Sequence, residues 1–227
     1  MPGALLYQLI TLDVYSALFD VEGSLAPILG EVIESHAESA DLVRTWRQKQ
    51  MEYALIGNSL ARGRVSFRVI TRRALDYALG RAGLDPTEAV RQHLVEQWDR
   101  LTLWPEAAEV LTKVKARGYR VGLLSNGDEA MLQALAARLP IAFDDIFSSE
   151  QAGYYKPHPS VYALPLHALG LSPDQILHVA GSATDVMGAK AAGLRCAWSN
   201  RKHDKVLDPM YSADHEFDDL RGLLDLL

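Results

Sequence analysis

The sequence predicts an α/β fold in which a doubly wound parallel sheet carries a helical insertion after its first strand. From residue 104 onwards, short apolar runs alternate with amphipathic segments, as in the strand–helix–strand units of a parallel sheet. One earlier apolar run, at 9–12, is separated from them by a stretch at 24–100 that shows helical patterns alone. A chain of 227 residues can bury such a core together with a smaller inserted unit.

The inserted stretch predicts four short helices that pack as a small bundle. Each begins at a residue that commonly caps or opens a helix, namely Ser24, Asp41, Ser66 and Pro86. The expected helices run from 24 to about 39, from 41 towards 60, from 66 to the turn at 83, and from 86 through 98. We therefore expect a cap at 21–100 on a core formed by 1–20 and 101–227.

The second half of the chain predicts the remaining strands and the helices that connect them. The runs that predict strands lie at 119–124, 146–147, 176–180, 194–198 and 215–217. The patterns that predict helices lie at 105–117, 128–138 and 159–169, in the residues before 192, and at 218–227. Pro165 falls inside one of these helices, and we expect it to kink or restart that helix.

Composition excludes several classes of partner. A net charge of −6, with no cluster of Lys or Arg, argues against a nucleic-acid-binding surface. No apolar run approaches the length of a membrane span, so we expect no membrane partner. The single cysteine, Cys196, rules out an internal disulfide and fits a reducing compartment. These features predict a cytoplasmic globular protein.

Polar side chains follow four predicted strands, in a chain order that brings them together: Asp13, Ser125 with Asn126, Lys156 and Asp185. Each alone is weak evidence, because an aspartate such as Asp13 equally well caps a loop. The carboxyl ends of parallel strands meet at one edge of the sheet, where two carboxylates and one ammonium group would couple strongly. The sequence therefore predicts a ligand site at this edge.

These positions resemble the motifs of the haloacid dehalogenase superfamily, most closely its L-2-haloacid dehalogenase branch. The resemblance rests on Asp13 with Tyr15, on residues 124–127 (LSNG), on 155–157 (YKP) with 161–162 (VY), and on the inserted segment 46–53 (WRQKQMEY). It spans essentially the whole chain. It implies a Rossmann-like core with a four-helix cap, a small-molecule carboxylate substrate and a homodimer.

Two positions argue against the magnesium-dependent phosphatases that make up most of this superfamily. Those enzymes carry a second aspartate two residues after the nucleophile, where this chain has Tyr15, and a further acid in the last motif, where it has Ser182. With Asp13 and Asp185 alone, a hard divalent cation lacks the carboxylates that it usually binds. We therefore expect neither a metal nor any other cofactor.

The resemblance implies a catalytic role for three charged residues. Asp13 would attack C2 of a small 2-substituted acid and form an aspartyl ester, which water then hydrolyses. Lys156 would keep Asp13 ionised, and Asp185 would orient Lys156 or assist the water. This mechanism inverts the configuration at C2.

The resemblance also implies the groups that hold the substrate. Ser125 and the backbone N–H groups of Val14 and Tyr15 would bind the substrate carboxylate. The leaving group would contact Arg47, which reaches down from the cap, and Asn126. Tyr162 would support Lys156 from beside the substrate site.

The chain departs from the branch pattern at two points that bear on the leaving group. Ala17 replaces a threonine, which removes a hydroxyl near the nucleophile, and Thr184 replaces an aromatic residue that helps to enclose a halide. With Ser182, Thr184 would give a more polar pocket, suited to a leaving group that needs a hydrogen bond. Two substrates therefore stay open: a 2-haloacid, or the strained ring of azetidine-2-carboxylate, which a relative in this family hydrolyses. A small-metabolite phosphatase and a binding protein that has lost its activity are further alternatives.

Overall fold

The computed structural model describes residues 5–33, 36–60 and 63–227 and contains a six-stranded sheet whose strands are all parallel. In spatial order these are β5 (Asp145–Ser148), β4 (Arg120–Ser125), β1 (Leu9–Leu12), β6 (Ile176–Ala180), β7 (Arg195–Ser199) and β8 (His215–Phe217). Side chains alternate between the two faces of a strand, and two apolar clusters are built from such alternate residues. Leu12 and Leu123 belong to one cluster, and Leu9 and Leu124 to the other. The parallel α/β core expected from the sequence is confirmed.

A two-stranded antiparallel ribbon joins this core to the inserted helices. It pairs β2 (Phe19–Asp20) with β3 (Thr102–Leu103). Between the two strands lie the helices of the cap: α1 (Val21–Ile33), α2 (His36–Ser59), α3 (Phe67–Arg81) and α4 (Glu88–Glu96). Trp46, Phe67 and Trp98 are fully buried in this region, as expected of bundle core.

Helices flank the parallel sheet, as connections between its strands and, in the case of the last one, after the final strand. They are α5 (Ala107–Ala116), α6 (Glu129–Ala136), α7 (Ser149–Ala152), α8 (Pro159–Leu169), α9 (Ala183–Ala191) and α10 (Gly222–Leu226). Pro165 does not restart α8, which runs through it without a break. The closing helix expected over 218–227 is shorter than predicted. No helix in the described part of the chain is both long and apolar enough to cross a membrane.

The cap helices begin at other residues than the sequence predicted. Helix α1 starts at Val21 because the Asp20 side chain accepts a hydrogen bond from the Gly23 N–H (2.8 Å) and so caps it. The Ser24 hydroxyl instead donates to the Asp20 carbonyl. Asp41 lies inside α2, which already begins at His36, and residues 34–35 between the two helices lie outside the described residues.

The last two cap helices show the same kind of shift. Ser66 does precede α3, but its hydroxyl donates to Asp128 of the core (2.6 Å) and makes no capping bond. Thr87, not Pro86, caps α4 through a hydrogen bond from the Val90 N–H. Three of the four helices thus begin within a few residues of the predicted start, and of these three only α3 is capped by a residue distant in sequence, Asp128.

Candidate active site

Asp13 lies one residue beyond β1, at the centre of the carboxyl edge of the sheet. Its side chain is almost fully buried and caps the π-helical turn Val14–Leu18 that follows. One carboxylate oxygen, Oδ2, accepts hydrogen bonds from the Ser16 N–H (3.0 Å) and the Ser16 hydroxyl (2.7 Å). The other oxygen, Oδ1, faces Lys156.

Ser16 supplies a hydroxyl to the nucleophile. Ala17 lacks the oxygen that the family motif places near Asp13, as the sequence indicated, but the Ser16 hydroxyl one residue earlier binds Asp13 directly. Asp13 therefore has a hydroxyl donor in this turn although position 17 has none. A further constraint comes from Gly181, because a Cβ built there would lie 2.4 Å from the backbone of Ser16 and Ala17.

Lys156 connects the two carboxylates of the site. Its Nζ lies 3.3 Å from Asp13 Oδ1 and 3.0 Å from Asp185 Oδ2, and all three side chains are buried. The Lys156 backbone N–H donates to Asn126 Oδ1 (2.7 Å), which ties the loop after α7 to the end of β4. Asp13, Lys156 and Asp185 thus meet as the sequence predicted.

The Asp185 carboxylate is bound by three side chains, those of Lys156, His178 and Tyr162. Burial alone would raise the pKa of Asp185, but Lys156 and His178 lower it well below its ordinary value, so the group is ionised. The Tyr162 hydroxyl donates to Asp185 Oδ1 (2.8 Å). Burial raises the pKa of Tyr162 far above its ordinary value, so this hydroxyl keeps its proton.

Tyr162 and Asn126 both contact Lys156. Tyr162 is fully buried, its hydroxyl binds Asp185, and the Lys156 Nζ lies over its ring, 5.8 Å from the ring centre. It does not line the cavity of the site. Asn126 is also buried, and its side-chain oxygen accepts the hydrogen bond from the Lys156 N–H.

His178 is part of the same cluster and was not predicted from the sequence. It lies on β6, is fully inaccessible to solvent, and places Nε2 3.0 Å from Asp185 Oδ2 and 3.3 Å from Lys156 Nζ. Its Nδ1 lies 2.9 Å from the Thr11 hydroxyl on β1. The only sequence signal was a titratable residue in the middle of an otherwise apolar strand, Ile176–Ala180.

Three groups near Asp13 are suited to bind an anion. The Ser125 hydroxyl, at the end of β4, is buried and has no hydrogen-bond partner among the described residues. The backbone N–H groups of Val14 and Tyr15 lie at the start of a helical turn, where helix geometry leaves donors unpaired within the helix. These are the groups that the sequence predicted for a substrate carboxylate.

Arg47 approaches the site from α2 in the cap. Its guanidinium carbon lies 5.6 Å from the centre of the Tyr15 ring and 5.7 Å from that of Trp98, and it donates to Gln50. Burial lowers the pKa of Arg47, with Asp13 acting in the opposite direction. Arg47 pairs with no carboxylate among the described residues, which leaves it available to an anionic group.

A cavity of about 950 Å³ separates the cap from the core. Arg47 lines it from the cap, while Tyr15, Ser16, Ser182 and Thr184 line it from the core. Asp13, Ser125 and Asn126 lie below its floor and do not line it. Ser182 is also fixed locally, because its hydroxyl accepts a hydrogen bond from the Asp185 N–H (3.4 Å) and caps α9.

The cap is fastened to the core close to the site. Asp128, just after Asn126, accepts hydrogen bonds from the backbone N–H groups of Phe67 (2.9 Å) and Arg68 (3.0 Å) and so caps α3 across the interface. Arg64 pairs with Asp128 and also donates to the Asn126 carbonyl. The cap therefore contacts the loop that carries Asn126.

No group of three or more His, Cys, Asp or Glu side chains in the described ranges is arranged to hold a metal ion. The two carboxylates of the site, Asp13 and Asp185, are both paired with the Lys156 ammonium group. The donor set thus offers few free oxygens to a hard divalent cation.

Comparison with known proteins agrees with this arrangement. A family model of haloacid dehalogenase-like hydrolases matches residues 7–193. The chain is 36% identical to an (S)-2-haloacid dehalogenase of Xanthobacter autotrophicus over 200 residues, which cover 87% of this chain and 77% of that protein. It is 31% identical to (S)-2-haloacid dehalogenase 4A of Burkholderia cepacia over 217 residues, which cover 95% and 92% of the two chains.

Solved structures match the whole fold. A dehalogenase with an intermediate complex superposes with a TM-score of 0.89 at 29% identity, over 98% of this chain and 97% of that one. An L-2-haloacid dehalogenase from Xanthobacter autotrophicus with chloropropionic acid covalently bound gives a TM-score of 0.84 at 28% identity, over 97% and 98%.

Proposed function

This chain belongs to the haloacid dehalogenase-like hydrolase family, and from that premise we propose that it is an (S)-2-haloacid dehalogenase. In this proposal it hydrolyses a small 2-haloalkanoate at C2 through an ester on Asp13. The observation that carries the proposal is the Lys156 ammonium group, which lies 3.3 Å from Asp13 and 3.0 Å from Asp185 at the sheet edge below the cavity.

The proposed first step is a displacement at C2 by Asp13. The Ser125 hydroxyl and the N–H groups of Val14 and Tyr15 hold the substrate carboxylate, which fixes C2 over the nucleophile. Asp13, paired with the Lys156 ammonium group, attacks C2 as a carboxylate and expels halide. The new bond forms on the face opposite the leaving group, so the configuration at C2 is inverted.

The proposed second step is hydrolysis of the ester at the Asp13 carbonyl carbon. Water adds there and releases the 2-hydroxy acid, which leaves one oxygen of solvent origin on Asp13. Lys156 faces the Asp13 carboxyl group and stabilises the negative charge that develops on its oxygen. No metal is needed in either step.

Arg47 supports a halide as the leaving group. A departing halide would enter a region bounded by the Arg47 guanidinium and the rings of Tyr15 and Trp98. The ring nitrogen of azetidine-2-carboxylate would leave as an amine that becomes cationic in water, and a cation is unfavourable beside Arg47. The relatives named above are dehalogenases, so the azetidine alternative has no support from them.

The test is chloride release from (S)-2-chloropropionate, with the R enantiomer and azetidine-2-carboxylate as parallel substrates. We expect turnover of the S enantiomer in the presence of a chelator and complete loss in Asp13→Asn. The exposed Asp218→Asn change, on a side chain that is 88% exposed, is the matched control and should leave turnover intact. Turnover of azetidine-2-carboxylate alone, or magnesium-dependent release of phosphate from a phenyl phosphate, would overturn the assignment.

A second measurement tests the ester itself. After a single turnover in water enriched in oxygen-18, mass spectrometry of the peptide that contains Asp13 should show one incorporated heavy oxygen. Label that appears only in the hydroxy acid, with none in the peptide, would instead indicate direct attack of water on C2.

We also propose that the protein is a cytoplasmic homodimer whose protomers meet through the cap, residues 21–100. Large apolar side chains are exposed along the end of α2 and on α3: Leu55, Ile56, Leu60, Val69 and Tyr77. Exposed apolar side chains on neighbouring helices favour burial against a second copy. Light scattering after size exclusion should give twice the mass of the 227-residue chain, and Ile56→Asp should shift it to the monomer.

A further inference from the structure

We propose that His178 is a positioning residue, which holds the Lys156 ammonium group within reach of Asp13 by taking part of the hydrogen-bonding capacity of Asp185. The inference rests on the proposed function, because it assumes that Asp13 is the nucleophile.

The position of His178 argues on energetic grounds against a purely apolar role. It is fully buried in a central strand, between Thr11 of β1 and Cys196 of β7, which are its partners in register. Burying an imidazole costs free energy unless its nitrogens are hydrogen-bonded. Both nitrogens have partners here, Thr11 on one side and the Lys156–Asp185 pair on the other.

The contact with Asp185 determines which ring nitrogen of His178 carries the proton. Asp185 is ionised, and its Oδ2 lies 3.0 Å from Nε2 of His178. An unprotonated Nε2 would direct its lone pair at this carboxylate oxygen, which is repulsive, so Nε2 bears the hydrogen and donates it. The Thr11 hydroxyl at 2.9 Å can then donate to Nδ1 and hold this form of the ring.

This assignment constrains Lys156. The Lys156 Nζ lies 0.3 Å closer to Asp185 than to Asp13, so a less occupied Asp185 would draw it away from the nucleophile. The Nε2–H of His178 and the Lys156 ammonium group both bind Oδ2 of Asp185. Because the two donors share this oxygen, Asp185 attracts Lys156 less strongly. The His178 ring also lies 3.3 Å from Nζ and limits its movement in that direction. Nζ also lies over the Tyr162 ring, 5.8 Å from the ring centre.

Two amide substitutions separate the roles of the two ring nitrogens. Gln at 178 can place its NH₂ group near the position of Nε2, whereas Asn can place it only near Nδ1. We expect His178→Asn to lower kcat about tenfold to a hundredfold, the usual effect of a displaced catalytic group. KM should change little, because Ser125 and the N–H groups of the Asp13 turn are untouched. His178→Gln should recover most of the loss in kcat.

Equal losses in the two variants, or a loss confined to KM, would overturn the proposal. His178→Phe keeps the volume and apolar character of the strand and therefore guards against a folding defect. It should unfold at or near the wild-type temperature, yet lose kcat as His178→Asn does. Wild-type kcat in a folded His178→Phe would overturn the proposal equally.

A measurement without substrate keeps this inference separate from the proposed function. In the unliganded protein, imidazole ¹⁵N chemical shifts should show a protonated Nε2 at His178. An unprotonated Nε2 would overturn the positioning role whatever the enzyme hydrolyses. If instead Nε2 is protonated but the wild-type protein releases no chloride from either enantiomer, the proposed function fails while the hydrogen-bond assignment stands.

Discussion

Replacing Gly181 by alanine tests whether the turn after Asp13 must keep its present position. A Cβ at 181 would lie 2.4 Å from Ala17 N and from the Ser16 carbonyl carbon, about 1 Å inside the ordinary contact distance of 3.4 Å. Both neighbours are backbone atoms, so a side-chain rotation cannot relieve the overlap. The turn and β6 must therefore separate by about 1 Å, which would move the Ser16 donors relative to Asp13.

A displacement of about 1 Å at a reacting group commonly costs about a hundredfold in rate, so we expect that loss in kcat/KM for Gly181→Ala. Overpacking of this kind should also lower the free energy of unfolding by about 1–3 kcal/mol. Chloride release and urea unfolding measure the two effects. Gly57→Ala on α2 is the matched control, because a Cβ there has no atom within 4 Å.

The control should keep full activity and gain about 0.5–1 kcal/mol of stability, as alanine usually does in a helix. Activity in Gly181→Ala within about threefold of wild type would refute the reasoning, since it would show that the turn tolerates the shift.

Three further changes test the substrate contacts and the attachment of the cap. Ser125→Ala removes a donor to the substrate carboxylate and should lower kcat/KM about tenfold to a hundredfold. Its thermal unfolding should not worsen, because the hydroxyl has no partner among the described residues. Arg47→Lys should weaken product inhibition by bromide about tenfold in steady-state assays, because Lys lacks the planar fork of Arg. Asp128→Ala should cost about 1 kcal/mol in urea unfolding at pH 7, the usual cost of a lost helix cap. Burial raises the pKa of Asp128, but its hydrogen-bond donors lower it overall, so the difference from wild type should shrink below about pH 4.

Most of the parallel strands could be predicted from the sequence because their residues are mainly apolar. Strands β6 (Ile176–Ala180) and β8 (His215–Phe217) have the predicted bounds, and β4, β5 and β7 differ from them by one or two residues. The short ribbon β2–β3 could not be predicted, since two residues are too few to show an alternating pattern. Its pairing depends on the cap bringing distant residues together.

The charged members of the site could be predicted because the sheet topology alone brings strand ends together. Asp13, Lys156 and Asp185 needed no knowledge of side-chain orientation. Ser16 and His178 did need it. Ser16 reaches Asp13 only because the chain forms a π-helical turn, and His178 reaches Asp185 only because its side of β6 faces α9, the helix that carries this aspartate. A pattern of residue types does not contain that information.

The arrangement around Lys156 explains why the site contains two carboxylates although one performs the proposed attack. Once Asp13 becomes an ester it is neutral, and Lys156 loses one of its two anionic partners. Asp185 keeps its charge throughout, because Lys156 and His178 hold its pKa low. It therefore retains the buried ammonium group close to the ester, where the cation is needed when water adds to the carbonyl. The hydrogen bond from Tyr162 to the second oxygen of Asp185 fixes that carboxylate in turn. Asp185 thus has its main effect in the half of the cycle in which Asp13 carries no charge.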